Sequence, residues 1–363
     1  MEKITTINAL RGIAALWVML SHCAIWGGYV GYNPNAKVAV DIFMMVSGFL
    51  MMYTADLVHT VDKNWLAFYI RRFFRLSPGY YVELILAVVL AKYFVPGYRL
   101  LGELNHNLQL SNLTANFSIS NIVLHVTYVF GLVPKSAFST MLPDWSLSLE
   151  MQFYLLFPLL FIFLKNIPSL FKLTILFGVS VLISVLAGRY IMQYYSEVSL
   201  IVYQLPMFLI GVFIYYGSRQ SDRVRRIFSL GLAILFCVYA ILLKDHMDGL
   251  YLLFAAVVLV LSCRSGGVGM AINRFFDNRL FTILSDLSFS TYLFHGFFLS
   301  IIGAFIEQTL YPMGYSANKC VLLIIACVVP LTYITAYCSY SFIEIPGIKL
   351  GKKILKKYNE CKL

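Results

Sequence analysis

Ionisable side chains are scarce in this chain, and those inside its long apolar runs are where chemistry is expected. Of 363 residues, 60% are hydrophobic and only 12% charged. A charge inside a bilayer costs roughly 2.5–3.5 kcal/mol on insertion scales, so each one is a functional candidate. Arg11 and His22 share the first apolar run. Eleven residues at about 100° each put them on one helix face, about 16 Å apart along the axis. Imidazole changes charge near neutral pH and serves as general base or as nucleophile. Asp41 enters the second apolar run four residues after Lys37, at a depth like that of His22. A carboxylate beside the imidazole would hold it in one tautomer, as general-base chemistry requires. The plainer alternative is a snorkelling arginine and a histidine at a helix end. Ser47-Gly48, deeper in the second run, reads as small-residue helix packing.

A second group lies around Pro143-Asp144-Trp145-Ser146-Leu147-Ser148-Leu149-Glu150. Glu150 at the mouth of a span, beside Trp145 and Ser148, can orient a polar substrate; alternatively Ser148 and Glu150 simply start a helix. Arg71, Arg72 and Arg75 precede Pro78. Arg72 and Arg75, three apart, project together on a helical turn and could grip a phosphate with bidentate hydrogen bonds, although positive-inside topology also explains a basic loop. His295 follows Tyr292 in mid-span, where its polarity must be offset. Glu344 ends the last span before Pro346 and reads as a structural partner of a cytoplasmic arginine. His59, His106, His125 and His246 carry no comparable signal.

These groups need spans to hold them. A helix needs about 20 mostly apolar residues to cross the hydrocarbon layer. Spans are expected near 7–27, 37–56, 78–96, 149–165, 171–189, 200–217, 227–244, 249–263, 284–306 and 319–343. The run 121–133 is too short and reads as re-entrant or packed against the bundle. Sorted by alternate connections, Lys and Arg split 20 to 7, which places both termini in the cytoplasm and the long 97–148 connection outside. The expected fold is therefore all-α: a polytopic membrane protein of about ten transmembrane helices, both termini cytoplasmic, with residues 1–348 as the membrane domain and 349–363 as a basic tail. So few charges could not cover a soluble protein of this size. A globular cytosolic enzyme, a disordered chain and a nucleic-acid binder are excluded, despite a net charge of +11. The seven cysteines are odd in number, lie mostly in apolar runs and form no CxxC pair, so neither a disulfide framework nor a metal cluster is expected.

In this order the residues resemble the membrane-bound acyltransferase-3 family over nearly the whole chain. Leu10-Arg11-Gly12-Ile13-Ala14-Ala15 through Ser21-His22 is similar to its signature of a basic residue, ten residues and a histidine. Val40-Asp41-Ile42-Phe43 with Ser47-Gly48-Phe49 resembles its second-helix block, and Arg72-Phe73-Phe74-Arg75-Leu76 with Pro78 its RxxR block. Trp145 to Glu150, Ser288 to His295 and Phe342-Ile343-Glu344-Ile345-Pro346 complete the series. Ala39, Met151 and Gly296-Phe297 depart from the usual pattern.

The resemblance implies acetyl transfer from acetyl-CoA to a carbohydrate hydroxyl, such as one of a lipopolysaccharide O-antigen or an exopolysaccharide, outside the bacterial cytoplasmic (inner) membrane. Joined to the residue chemistry, it makes His22, Asp41 and Glu150 the catalytic candidates. Arg11, Arg71, Arg72 and Arg75 become donor-binding candidates, and Trp145, Ser148 and His295 acceptor-binding ones. The expected partners are acetyl-CoA, a carbohydrate acceptor that could be lipid-linked, and membrane lipid, with no metal and no nucleic acid; association with a second copy is left open. Many relatives carry an extracytoplasmic hydrolase-like domain, which is not expected in this chain. The competing class is a transporter or flippase using Arg11, His22 and Asp41 as a polar pathway; the lack of visible repeat symmetry weighs against it.

Overall fold

The structure, a computed structural model, describes residues 4–29, 31, 35–59, 64–111, 114–140, 142–165, 170–191, 194, 199–243, 246–264 and 266–360. Lys3, Lys63, Lys244, Lys362 and Cys361, counted in the charge and cysteine arguments, lie outside these residues. Among the described residues there is no strand, and nine helices are long and apolar enough to cross a membrane. A tenth is added if His246–Ser262 and Gly267–Phe276, which meet at 113°, form one broken span. The chain is an all-α polytopic membrane protein. The six described cysteines are all free.

The helices run in the order α1 (Thr5–Trp26), α2 (Ala36–His59), α3 (Trp65–Leu104), α4 (Leu108–Ser111), α5 (Ile119–Val126), α6 (Trp145–Lys165), α7 (Leu170–Tyr190) and α8 (Ile201–Arg219). Then come α9 (Arg223–Leu243), α10 (His246–Ser262), α11 (Gly267–Phe276), α12 (Arg279–Asp286) and α13 (Ser288–Phe298). A π-helical turn at Leu299–Gly303 joins α13 to α14 (Ala304–Leu310), and another at Tyr340–Glu344 joins α15 (Ala317–Ser339) to α16 (Ile345–Glu360). The third span, expected over 78–96 alone, is instead a 40-residue helix that runs through both Pro78 and Pro96. At 1.5 Å per residue it is about 60 Å long, twice the hydrocarbon thickness. The tetrapeptide around each proline continues as helix, so neither proline marks the boundary its usual behaviour suggests.

The chain divides into two units, interleaved in sequence. The first comprises residues 1–14, 37–63 and 146–285. Here α8 packs against α7 and α9, and α9 against α10. A Cβ added at Gly48 would collide with the Phe208 carbonyl, and one at Gly211 with the Met45 carbonyl. Helices α2 and α8 therefore touch backbone to backbone, the small-residue packing that Ser47-Gly48 suggests. Gln152 ties α6 to the start of α8 by donating to Ser199 O (2.9 Å) while its Oε1 accepts from Ile201 N (3.0 Å).

The second unit comprises residues 15–36, 64–145 and 286–363. Its core includes Met19, Cys23, Leu299, Ile324 and Val328, which seat the end of α1 against the Leu299–Gly303 turn and α15. The connection after α3 folds onto that helix: Tyr81 Oη donates to Val126 O and Tyr128 Oη to Ser77 Oγ, each at 2.9 Å. The run 121–133 thus packs against α3 as α5 and a 3-10 turn, Val129–Leu132.

Candidate active site

His22 lies one turn before the end of α1, half-buried, with Trp26 stacked on it at 4.2 Å between centroids and 12° between planes. That pairing follows from i, i+4 spacing. Its Nδ1 is 2.9 Å from Nε2 of His295, a fully buried residue of α13. The His295 Nδ1 faces the carbonyls of Tyr292 (2.8 Å) and Thr291 (3.2 Å), one turn back on its own helix. A carbonyl only accepts, so His295 Nδ1 carries the hydrogen and its Nε2 is the acceptor. His22 Nδ1 must then donate, which leaves the lone pair of His22 on Nε2. Two backbone carbonyls thereby set the tautomer of the half-buried imidazole through a fully buried one. The polarity of His295 is offset, as its mid-span position demands.

Asp41, expected to orient His22, belongs to the first unit; within the second, His22 Nδ1 is hydrogen-bonded to His295.

Helix α3 supplies the neighbours of this pair. A Cβ at Gly97 would overlap the Ser300 carbonyl, and one at Gly296 would overlap Tyr98 Oη, so both glycines permit the close approach of α3 to α13 and its π turn. Tyr98 thus sits against the residue after His295 and lies edge-on to Trp26, at 5.2 Å and 79°. The Trp26 carbonyl is held by Asn105 Nδ2 (3.0 Å), which also donates to Glu307 Oε2 (2.6 Å), while Tyr311 Oη donates to Asn105 Oδ1 (2.8 Å).

The remaining candidates fall as follows. Arg71, Arg72 and Arg75 are half-buried on α3, which is helical throughout this stretch, so Arg72 and Arg75 share a face as their spacing predicts. Arg72 lies over the Phe68 ring at 5.8 Å. Glu344 accepts a hydrogen bond from Ser290 Oγ, which lies 2.8 Å from Ser339 Oγ and accepts from that second hydroxyl. Trp145 is half-buried and 6.4 Å from the Phe138 ring. In the first unit, Arg11 lies over Phe43 at 5.5 Å and Asp41 is buried near Tyr203. Glu150 is the sixth residue of α6, past the first turn, so it does not serve to start the helix. It accepts hydrogen bonds from Tyr154 Oη and from Ser47 Oγ, the latter at 3.3 Å. Ser148 is fully buried and contacts Gln152 Nε2 at 3.4 Å.

The structure adds residues that sequence patterning passed over. His125 is not a loop bystander: it is fully buried, stacked on Phe130 at 4.2 Å and 6°, with Nδ1 on Asn121 O at 2.9 Å. Its Nε2 faces Asp144 Oδ2 at 3.8 Å. Asp144, just before α6, accepts from Tyr80 Oη at 2.9 Å. Burial pushes its carboxyl up to about 6, against the opposing pull of His125 and of the Tyr80 hydrogen bond. Glu83 of α3 is fully buried as well. The test that selected Arg11, a charge inside an apolar run, would have found Glu83 in Tyr81-Val82-Glu83-Leu84-Ile85. No local pattern marks His125 or Asp144, which meet only through folding of the connection.

With this geometry in view, comparison with known proteins points one way. The family model described as "Acyltransferase domain" matches residues 4–341. The peptidoglycan O-acetyltransferase OatA of Listeria monocytogenes is 28% identical over 96% of this chain and 56% of its own length. The O-acetyltransferase OatA of Staphylococcus aureus is 24% identical over 96% of this chain and 57% of its own. The chain therefore spans little more than half the length of these relatives. No solved structure matches it.

Proposed function

This chain belongs to the acyltransferase-3 family, and from that premise we propose that it is an O-acetyltransferase, moving acetyl from cytoplasmic acetyl-CoA to a sugar hydroxyl of a surface glycan. The observation that carries the reading is the His22–His295 pair, which leaves a half-exposed imidazole with its lone pair on Nε2. His22 Nε2 takes the acceptor hydroxyl proton as the oxygen attacks the thioester carbonyl. The carbon–sulfur bond breaks, and the thiolate of coenzyme A recovers that proton, so the imidazole is regenerated. A route in which Nε2 first carries the acetyl group uses the same atom. Arg72 and Arg75, supported by Arg71, hold the phosphates of the donor. Arg11, Asp41 and Glu150 of the first unit stay assigned to the reaction by family resemblance, as do Trp145 and Ser148 to the acceptor.

The protein works in the bacterial inner membrane with both termini cytoplasmic, residues 1–348 forming the acyltransferase module and 349–363 a basic tail. Lipopolysaccharide O-antigen and, from the name of the Listeria relative, peptidoglycan are the acceptors to test first. Purified protein in nanodiscs is incubated with acetyl-labelled acetyl-CoA and each glycan. Base-labile label in the glycan, lost in His22→Ala while the protein stays inserted, is the expected result. Label transfer unaffected by His22→Ala overturns the reading, and movement of a lipid-linked sugar without acetyl transfer would favour a flippase.

A further inference from the structure

Beside the histidine pair, the second unit holds an unusual concentration of buried polar atoms with no hydrogen-bond partner. Both carboxyl oxygens of Glu83, Oδ1 of Asp144, Nε2 of His125 and the hydroxyl of Tyr98 are all in this state among the described residues. Their side chains are 0–1% exposed. The Glu83 carboxyl acts electrostatically on Asp144, Tyr80, Tyr98 and Tyr128, so these groups share one region. Leaving a buried polar group unpaired costs about 1–3 kcal/mol, more for a charged one, and five together are not a packing accident.

The chemistry of the set limits what can satisfy it. Four of the five atoms are carboxyl oxygens or an imidazole nitrogen facing a carboxylate, so the region is rich in acceptors and short of donors. A metal ion would answer that, but among the described residues no three His, Cys, Asp or Glu side chains converge on one point. Acceptors spread over a region, with a tyrosine hydroxyl among them, match a ligand bearing several separate hydroxyls. Each hydroxyl of a sugar donates once and accepts besides.

We propose that Glu83, Tyr98, Asp144 and His125 form a binding subsite for the hydroxyls of a carbohydrate, next to His22 and His295. The inference rests on the acetyltransferase reading for its purpose, since the sugar bound there would be the acceptor. Its binding chemistry stands on the orphaned atoms alone. Glu83 and Asp144 accept from two sugar hydroxyls, and Tyr98 Oη donates to or accepts from a third. Tyr98 lies against Gly296, the neighbour of His295, and so ties the subsite to the histidine pair.

The test reads sugar binding without requiring catalysis. The protein is placed in nanodiscs free of glycoside detergents, and tryptophan emission is followed during titration with the disaccharide of N-acetylglucosamine and N-acetylmuramic acid. The wild type should show a saturable change. Glu83→Gln and Tyr98→Phe should each weaken it at least tenfold at an unchanged melting temperature. Tyr98→Phe removes a hydroxyl that has no protein partner, so it keeps the fold even if Glu83→Gln does not. No saturable change with the wild type, or wild-type affinity in Tyr98→Phe, overturns the subsite. Saturable binding lost in both variants, with no acetyl transfer to any glycan, would leave the subsite standing and remove the acetyltransferase reading.

Discussion

Replacing His295 by phenylalanine keeps an aromatic ring in the stack against His22, whose centroid is 5.1 Å away, and removes only the acceptor for His22 Nδ1. The donor on Nδ1 then faces an apolar edge. A buried donor left without its partner costs about 1–3 kcal/mol. If that cost falls on the catalytically correct tautomer, the barrier rises by the same amount, and at 1.36 kcal/mol per decade kcat drops about 5- to 150-fold. The Trp26 stack still holds the ring plane, so the loss should stay below that of His22→Ala, which removes the proposed general base, a role worth about 10²–10⁴-fold. His295→Gln places a carbonyl where Nε2 was and should recover part of the activity. Release of coenzyme A thiol is measured at saturating acetyl-CoA and glycan, with the KM for acetyl-CoA expected to stay within twofold. The tautomer argument is refuted if His295→Phe keeps kcat within twofold of wild type, or if His295→Gln is no better than His295→Phe.

Three further outcomes are expected. On the proposed donor site, Arg72→Ala combined with Arg75→Ala would remove charge-assisted contacts worth about 1.5–3 kcal/mol each, so the KM for acetyl-CoA should rise more than about tenfold with a smaller change in kcat; steady-state kinetics with an unchanged KM would remove these arginines from that site. Asp144 has a folded value raised to about 6 from 3.8, so the folded state binds the extra proton between those values and stability falls as pH rises through that window, by up to about 1.4 kcal/mol per pH unit. Thermal melts from pH 4 to 7 should show this slope in wild type and a flatter one in Asp144→Asn. Gly211→Ala drives a methyl into the Met45 carbonyl and should destabilise the first unit by about 1–3 kcal/mol, seen as a lower melting temperature; an unchanged melt would contradict the backbone contact of α2 with α8.

Much was legible in the residues because the bilayer makes their grammar strict. Apolar runs of span length announce helices, and few charges are tolerated within them, so Arg11, His22 and His295 stood out individually. The same reasoning failed on α3, where Pro78 and Pro96 read as ends but are accommodated within one helix. Within the 97–148 connection, the run 121–133 does pack against the bundle as one of its two expected readings has it, but its partners Tyr81 and Ser77 are contacts that no short window contains.

By itself, then, the sequence determined an all-helical membrane protein of many spans and the family resemblance that the comparisons established. Those depend on local hydrophobicity and on ordered motifs, both written along the chain. Only the tertiary structure decided what each polar group meets. It paired His22 with His295, set the tautomer through the Tyr292 and Thr291 carbonyls, and gathered Glu83, Tyr98, His125 and Asp144 without mutual satisfaction. The physical reason is that helix periodicity tells which residues share a face, while the rotation and approach of that face to its neighbours depend on contacts such as Gly97 with Ser300 and Gly296 with Tyr98, between residues roughly two hundred positions apart.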